Sequence, residues 1–429
     1  MKKIKIFFLF FLISVFSLST SLAEEKELPS LKLSELIDEA LKNNPGIKAL
    51  KNRFEALSQK PSQEGTLDDP KLMLGITNVP VDEFGFDSES MTQKEIGISQ
   101  MFPFPGKLKL RSEIAQKEAD AAEKEYHHKV NEISEKVKDV YYELFYIYKT
   151  IGITEKNKNL ITEFVKIAET KYSVGQGIQQ DILKAQVELS KIINEQIGLE
   201  QERESAEAML NSILSRNPQS PVGKPDEFEK TKLKFSIEEL MKMAESNMPI
   251  LLGIKDSVQQ FEKSYSLAKK DYYPDFEFNL SYGQRDRLRA EGMSEDWPDM
   301  ISATVTINLP IWRSSKLDKK VEETLANKRM AEEQYNSMKN EIYFNLKDII
   351  AEVKKGERLL ELYKTGIIPQ AAQSLESAMA GYEVNKIDFL TLLDNQITLF
   401  NYEIEYYKVL SDYEKKLAKL ETMVGMKLF

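Results

Sequence analysis

Two periods of apolar positions, one helical and one of two residues, alternate along this chain and recur in its second half. From Tyr126 onward Val130, Ile133, Val137, Val140, Leu144, Ile147 and Ile151 are spaced by alternating threes and fours, the seam of a coiled coil. No proline falls between Pro105 and Pro218. The seam therefore predicts one helix from Gly106 to Tyr172, about 100 Å long at roughly 1.5 Å per residue. Such a rod has no place inside a globular core. After Tyr172-Ser-Val-Gly-Gln-Gly177 a seam returns through Ile182, Ala185, Leu189 and Ile192, then Leu199, Ala206, Leu210 and Ile213. A second helical run from Arg313 to Tyr382 carries Tyr335, Met338, Ile342, Ile349 and Val353. It turns at Tyr382-Glu-Val-Asn-Lys386 and comes back through Leu390, Leu393, Ile397, Phe400, Ile404 and Tyr407.

Ahead of each rod the period drops to two, which predicts half-buried strands. Leu72, Leu74 and Ile76 alternate with small or polar residues, and so do Phe276, Phe278 and Leu280. Polar loops, 79–91 and 283–300, lead to second strands with Ile96, Ile98 and Phe102, and with Val305, Ile307 and Leu309. Two hairpins and four strands are expected. Each ends at a proline corner, Pro103-Phe-Pro-Gly-Lys107 in the first half and Leu309-Pro-Ile-Trp312 in the second. Ahead of the strands, Ala40, Asn43, Pro45 and Pro70 match Ala244, Asn247, Pro249 and Pro274 at one offset, so the whole plan is duplicated. The expected units are 24–226 (β-hairpin 71–102, helical hairpin 106–215, linker) and 227–429 (β-hairpin 275–309, helical hairpin 313–424, tail). The returning helices are shorter than the rods. Residues 236–272 are long enough to complete the first, and 34–68 the second.

Each strand has one apolar face. In a soluble periplasmic coiled-coil protein these faces would pack together; in an outer-membrane barrel they would meet lipid while the other face lines water. The aromatics Phe84, Phe86 and Trp297 in the loops, and Phe102, Phe104 and Trp312 at the corners, would then mark the two interfaces. Four strands cannot close a barrel, for which about eight is the useful minimum. Closure requires several protomers.

The chain of 429 residues has 69 acidic and 59 basic side chains and no cysteine. Disulfides, thiolate metal sites and lipid attachment at an N-terminal cysteine are excluded, so the protein is not expected to be a lipoprotein. Residues 1–23 read as a secretory signal, with Lys2, Lys3 and Lys5, an apolar run from Ile6, and Ser21-Leu22-Ala23 at the cleavage position. Removing those three lysines leaves 56 bases against 69 acids, a net of −13. Beyond the signal no run of eighteen apolar residues occurs.

Chemistry is sparse. His127 and His128 are the only histidines, and consecutive helix positions point about 100° apart, so they read as helix surface rather than as a metal site. The 15 methionines read as packing residues. No phosphate-binding glycine loop, GxSxG or HExxH pattern occurs. No enzymatic activity, cofactor, metal centre or nucleic-acid partner is expected.

The duplicated corners and the paired motifs YSVGQGIQQDIL from Tyr172 and YEVNKIDFLTLLD from Tyr382 resemble the TolC-like family of outer-membrane efflux proteins over nearly the whole mature chain. LDDPKLMLGITNVP and ISQMFPFPGKLKLR look most like its heavy-metal branch, similar to CusC and CzcC proteins. The resemblance implies a mainly α fold with a small transmembrane β-barrel part. In it, long coiled-coil hairpins form an α-barrel, and four strands per chain contribute to a shared twelve-stranded barrel in a homotrimer. It implies a passive outer-membrane exit duct with a long periplasmic part, partnered by a periplasmic adaptor and an inner-membrane pump of the RND type. A type I protein-secretion or drug duct is the alternative. The linker 216–235 and the tail after Val424 would form a belt. Carried over, Asp181, Asp388 and Asp394 belong to the tunnel entrance; Tyr172, Gly175, Gly177, Tyr382 and Asn385 to the tip turns and adaptor contact; and Pro103, Phe104, Gly106, Pro310 and Trp312 to the membrane-interface corners. The family often has glycine where Asn385 stands, arginine where Ile387 stands and aspartate where Thr391 stands. These departures put the family's tip salt bridge and double acidic ring in question.

Overall fold

The computed structural model describes residues 30–82, 84–290 and 293–429; the expected signal segment 1–23 lies outside them. The first half runs α1 (Leu33–Asn43), α2 (Pro45–Leu57), α3 (Lys60–Gly65), β1 (Lys71–Thr77), β2 (Gln93–Phe102), α4 (Lys107–Ser173) and α5 (Gln179–Ile213). The second half runs α6 (Ile237–Asn247), α7 (Pro249–Lys270), β3 (Phe276–Gln284), β4 (Leu288–Ala290), β5 (Met293–Glu295), β6 (Met300–Ile307), α8 (Asp318–Leu362), α9 (Ile368–Glu383) and α10 (Phe389–Val424). The fold is mainly helical with a small sheet. The rod α4 is continuous over 67 residues, and its seam is buried at Ile133, Val137, Val140, Leu144 and Ile147.

One antiparallel sheet has the order β1-β2-β3-β6. Its register aligns Leu74, Ile96, Tyr282 and Ile301 in one row and Leu72, Ile98, Leu280 and Ala303 in the next, so all four strands turn the same apolar face outward. Leu74 and Ile301 are 72% and 75% exposed. The opposite face is mostly small or polar, and at its centre Gly97, Ser281 and Gly283 are buried. A Cβ at Gly97 would lie 3.0 Å from the Ser281 Cβ, so the strands approach closely there. The two outer edges, on β1 and β6, have no strand beside them among the described residues.

Four columns of helix hang from the four strands in the same order. The strands β2 and β6 lead down into α4 and into α8 with α9, while α3 and α7 lead up into β1 and β3. The helix α4 packs between α2 and α3 on one side and α7 on the other, and α7 also packs on α8; lower down α5 and α10 take the two places beside α4.

The end-to-end partners differ from the expectation drawn from length. The Asn44 side chain caps α2 by accepting from the Gly46 and Ile47 amides and donates to the Ile213 carbonyl at the end of α5 (3.3 Å). The start of α7 meets the end of α10, where a Cβ on Gly425 would lie 2.4 Å from the Asn247 carbonyl oxygen. Each returning helix is therefore completed by helices of its own half. Length could not decide this because the two candidate segments are nearly equal.

Three more differences have local causes. The second rod is interrupted by π-turns at Arg313–Leu317 and Tyr363–Ile367, the latter followed by Pro369, which lacks the N–H a continuous helix needs. The loop after β3 holds the β4–β5 ribbon, bracketed by an Arg287–Asp296 ion pair, so the strands exceed the expected four. On α10 the seam begins at Phe389 and Leu392, leaving Leu390 exposed.

At mid-height the linker and tail are tied to the rods. Tyr413 Oη donates to the Thr231 carbonyl (2.7 Å) and the buried Glu414 accepts from the Thr231 amide (2.8 Å). Glu421 accepts from the Leu428 and Phe429 amides.

Candidate functional site

The two hairpin tips are built by one motif. At the end of α4 the Gly175 amide bonds to the Tyr172 carbonyl and the Gln176 amide to the Lys171 carbonyl, with Gly175 at φ +74°. At the end of α9 the Asn385 amide bonds to Tyr382 and the Lys386 amide to Gly381, with Asn385 at φ +57°. Both are helix ends closed by a left-handed residue, a place that glycine or asparagine takes with least strain. The departure at Asn385 therefore keeps the backbone of the turn.

The departure at Ile387 is explained by a size exchange. In the first tip a Cβ at Gly177 would sit 3.2 Å from the Lys171 Cβ; in the second, a Cβ at Gly381 would sit 3.3 Å from Ile387. Each turn pairs one large residue with one glycine, on opposite sides. Ile387 packs with the apolar tip cluster, and its side chain has no charge to form a salt bridge.

A different tie joins the tips. Lys171 Nζ donates to the Tyr382 carbonyl (2.8 Å) and the Asn385 Oδ1 (2.7 Å) and lies 4.0 Å from the centre of the Tyr382 ring. The asparagine that replaces the family's usual glycine supplies one acceptor. Lys171 was missed in the sequence because a lysine before a turn looks like any solvated helix residue.

Of the three acids expected at the entrance, Asp181 and Asp388 are brought together. Burial pushes the Asp181 carboxyl above its usual range, and the charge of Asp388 adds to the shift. Asp388 caps α10, accepting from the Thr391 amide (2.7 Å); that bond holds its exposed carboxyl below the usual range. Burial and the Asp181 charge push the buried Tyr382 hydroxyl up. Asp394 stands apart on the exposed face of α10. Tyr172 is half exposed, with Val174, Ile178 and Val384 also exposed around the tips.

At the other end of the rods the first corner is closed by Lys107, 3% exposed, whose ammonium lies 2.9 Å from Asp275 and 3.5 Å from Asp271 and donates to the Tyr273 carbonyl (3.2 Å). The Phe104 amide donates to Asp275 as well (2.7 Å), and its ring stacks on Tyr273 at 4.5 Å. Gly106 caps α4 at φ +89°, and a Cβ there would press on Lys270. This network fastens the first corner to the connection from α7 up into β3. The second corner is open: Pro310 leads to Trp312, which is 69% exposed. Among the described residues no group of three or more His, Cys, Asp or Glu is arranged to hold a metal ion. His128 is partly buried, and burial lowers its pKa.

Residues 36–216 and 240–426 each match the outer membrane efflux protein family. This chain belongs to that family. The cobalt-zinc-cadmium resistance protein CzcC of Cupriavidus metallidurans is 22% identical over 187 residues, spanning 44% of this chain and 42% of that relative. Among solved structures, the outer membrane protein VceC of Vibrio cholerae has a TM-score of 0.77 at 17% identity, covering 92% of this chain and 96% of that one. CusC has a TM-score of 0.79 at 14% identity, covering 95% and 96%. At these identities the structural likeness establishes the fold of this efflux-family chain.

Proposed function

We propose that the protein is the outer-membrane exit duct of a tripartite exporter, assembled as a homotrimer and carrying metal ions handed on by an adaptor and an RND-type inner-membrane pump. The observation that carries the reading is the sheet. Its apolar face is outward, its two edges are unpaired among the described residues, and each strand continues into its own helical column. An open edge in hydrocarbon leaves backbone groups unsatisfied, so such a sheet must be closed by further copies. Among the described residues no helix is long and apolar enough to cross a membrane, so the sheet is the element suited to lipid. The corners, with Phe104 and Trp312, belong at the periplasmic interface.

Metal as the cargo class rests on the likeness to CzcC and to CusC. The duct reading makes the protein a passive channel, which membership of the outer membrane efflux family supports. Light scattering corrected for bound detergent should give three chains per particle, and a stable folded monomer would overturn the assembly. Loss of the gene should lower tolerance to divalent transition metals, with tolerance restored by the intact gene. Unchanged metal tolerance with lost export of a protein or drug would favour the alternative duct.

A further inference from the structure

The fully buried apolar packing of the molecule thins at one height across all four columns, where residues such as Ile151, Ile397 and Tyr406 are only partly buried. On α4 the buried members of the apolar clusters stop at Ile147 and resume at Ile161; on α5 they stop at Ala206 and resume at Ile192. From α8 to α9 the gap runs from Leu360 to Leu375, and on α10 from Leu410 to Leu393. Leu199 and Phe400 are buried inside the gap but belong to no cluster. These stretches lie side by side. Gln196 of α5 contacts Glu155 and Lys158 of α4, Gln396 of α10 contacts Asn157 of α4, and Tyr402 of α10 lies 6.2 Å from Tyr363 at the π-turn.

Beside Leu199 and Phe400, the buried side chains in the gap are polar. Thr150, Thr154 and Asn157 are fully buried on α4, and Gln396 faces them from α10. Gln396 Nε2 donates to Asn157 Oδ1 (2.7 Å), while Gln396 Oε1 and Thr154 Oγ1 are buried without a protein partner. A buried polar pair in a coiled coil sets register and lowers stability relative to apolar packing. Three of the four columns are also weakened here. Thr150 Oγ1 bonds back to the Tyr146 carbonyl (2.9 Å), a contact that bends helices. Gly152 and Gly198 have open space where a side chain would sit, so packing does not require them. The fourth column has the π-turn Tyr363–Ile367 and Pro369. Below this layer, residues of all four columns join in one apolar cluster, from Phe164 and Ala185 to Leu375 and Leu392.

We infer that the layer from Thr150 to Asn157, with Gln396 and the π-turn, is a bending plane about which the whole tip block pivots against the belt. The tip moves as one body because its four helices share a core and Lys171 ties its two turns. The pivot changes the width of the tip opening. Its consequence for conduction rests on the duct reading; the local weakness of the layer does not.

Hydrogen exchange on the full-length assembled protein tests the weakness directly. Amides of 362–370 and 396–404 should exchange at least tenfold faster than those of 346–353 on the belt side and 375–380 on the tip side. Rates no faster than on both sides overturn the proposal. In Asn157→Leu/Gln396→Leu the layer rates should fall to those of its flanks, and openings in planar bilayers should become at least tenfold rarer. Slowed exchange with unchanged openings also overturns it. If that variant does not assemble, Gly366→Ala/Pro369→Ala is read by the same two criteria. A wild-type protein that shows the fast layer but conducts nothing would sink the duct and leave the bending plane standing.

Discussion

The two helical hairpins come from one repeated plan, yet they are built to different mechanical standards. The first, α4 with α5, descends from a corner closed around the buried Lys107 and runs 67 residues without a break. The second, α8 and α9 with α10, starts from an open corner, passes two π-turns and carries Pro369 inside its descent. Duplication preserved the period of the seam and the turn motif, whereas the corner contacts and helix continuity diverged. The first hairpin is the more continuous of the two, and the second yields more readily.

The largest expected effect breaks the comparison at the corners. Lys107→Met leaves the Asp275 and Asp271 carboxylates without their buried partner and should cost about 3–5 kcal/mol. Lys316→Met, in the exposed second corner, should change stability by less than about 0.5 kcal/mol. Thermal unfolding of the assembled protein in detergent measures both. Equal losses would mean that the first corner is no stiffer than the second.

Where the hairpins meet, Asp139 of α4 faces Lys415, Lys416 and Lys419 of α10, with Glu135 beside it on its own helix. Burial and the Glu135 charge push its carboxyl up to about 6. The folded state therefore holds a proton that the unfolded chain has released, so this contribution to stability is present below pH 4 and lost as pH rises through 6. Asp139→Asn, neutral at every pH, should raise stability at pH 8 by about 2 kcal/mol or less per chain and leave pH 4 nearly unchanged. A Tm gain that does not depend on pH would show that volume, not charge, governs that contact.

At the tips, Gly175→Ala forces a side chain into the left-handed region and should cost about 1 kcal/mol. Asn385→Gly gives the second turn the residue of the first. It should leave stability within about 0.5 kcal/mol while removing one of the acceptors of Lys171. Exchange of the 382–388 amides should then quicken, and faster still in Lys171→Met. Unchanged exchange in both variants would mean that Lys171 does not hold the turns together.

The smallest effect in energy is the sharpest in selectivity. At the spacing that relates Tyr172 to Tyr382, Asp394 of the second hairpin corresponds to Lys184 of the first. We propose that three Asp394 carboxylates, brought together at the tunnel entrance of a trimer, would attract cations into a narrow opening. Diffuse charge is screened within about 10 Å at 0.1 M salt, so a local ring keeps its influence at raised ionic strength. Asp394→Asn should lower cation selectivity and multivalent block in planar bilayers without altering assembly. Unchanged reversal potentials would shift attention to Asp388 and Asp181.

Much was legible from local chemistry. Periods of two and 3.5 residues report which side of an element is apolar, so strands, rods and their duplication could be read from Leu72 to Ile76 and from Ile133 to Ile147. Corners and turns were legible because proline and left-handed residues act on their own backbone. What tertiary structure decided depends on residues far apart in the chain. Asn44 meets Ile213, and Asn247 meets Gly425, so each returning helix is completed by its own half. Lys107 is buried only because Asp271 and Asp275 arrive from the other half, and Lys171 binds only because a second turn stands beside the first. Composition and spacing carry no record of such meetings, since a lysine's type and neighbours are the same whether water or a carboxylate completes its hydrogen bonds.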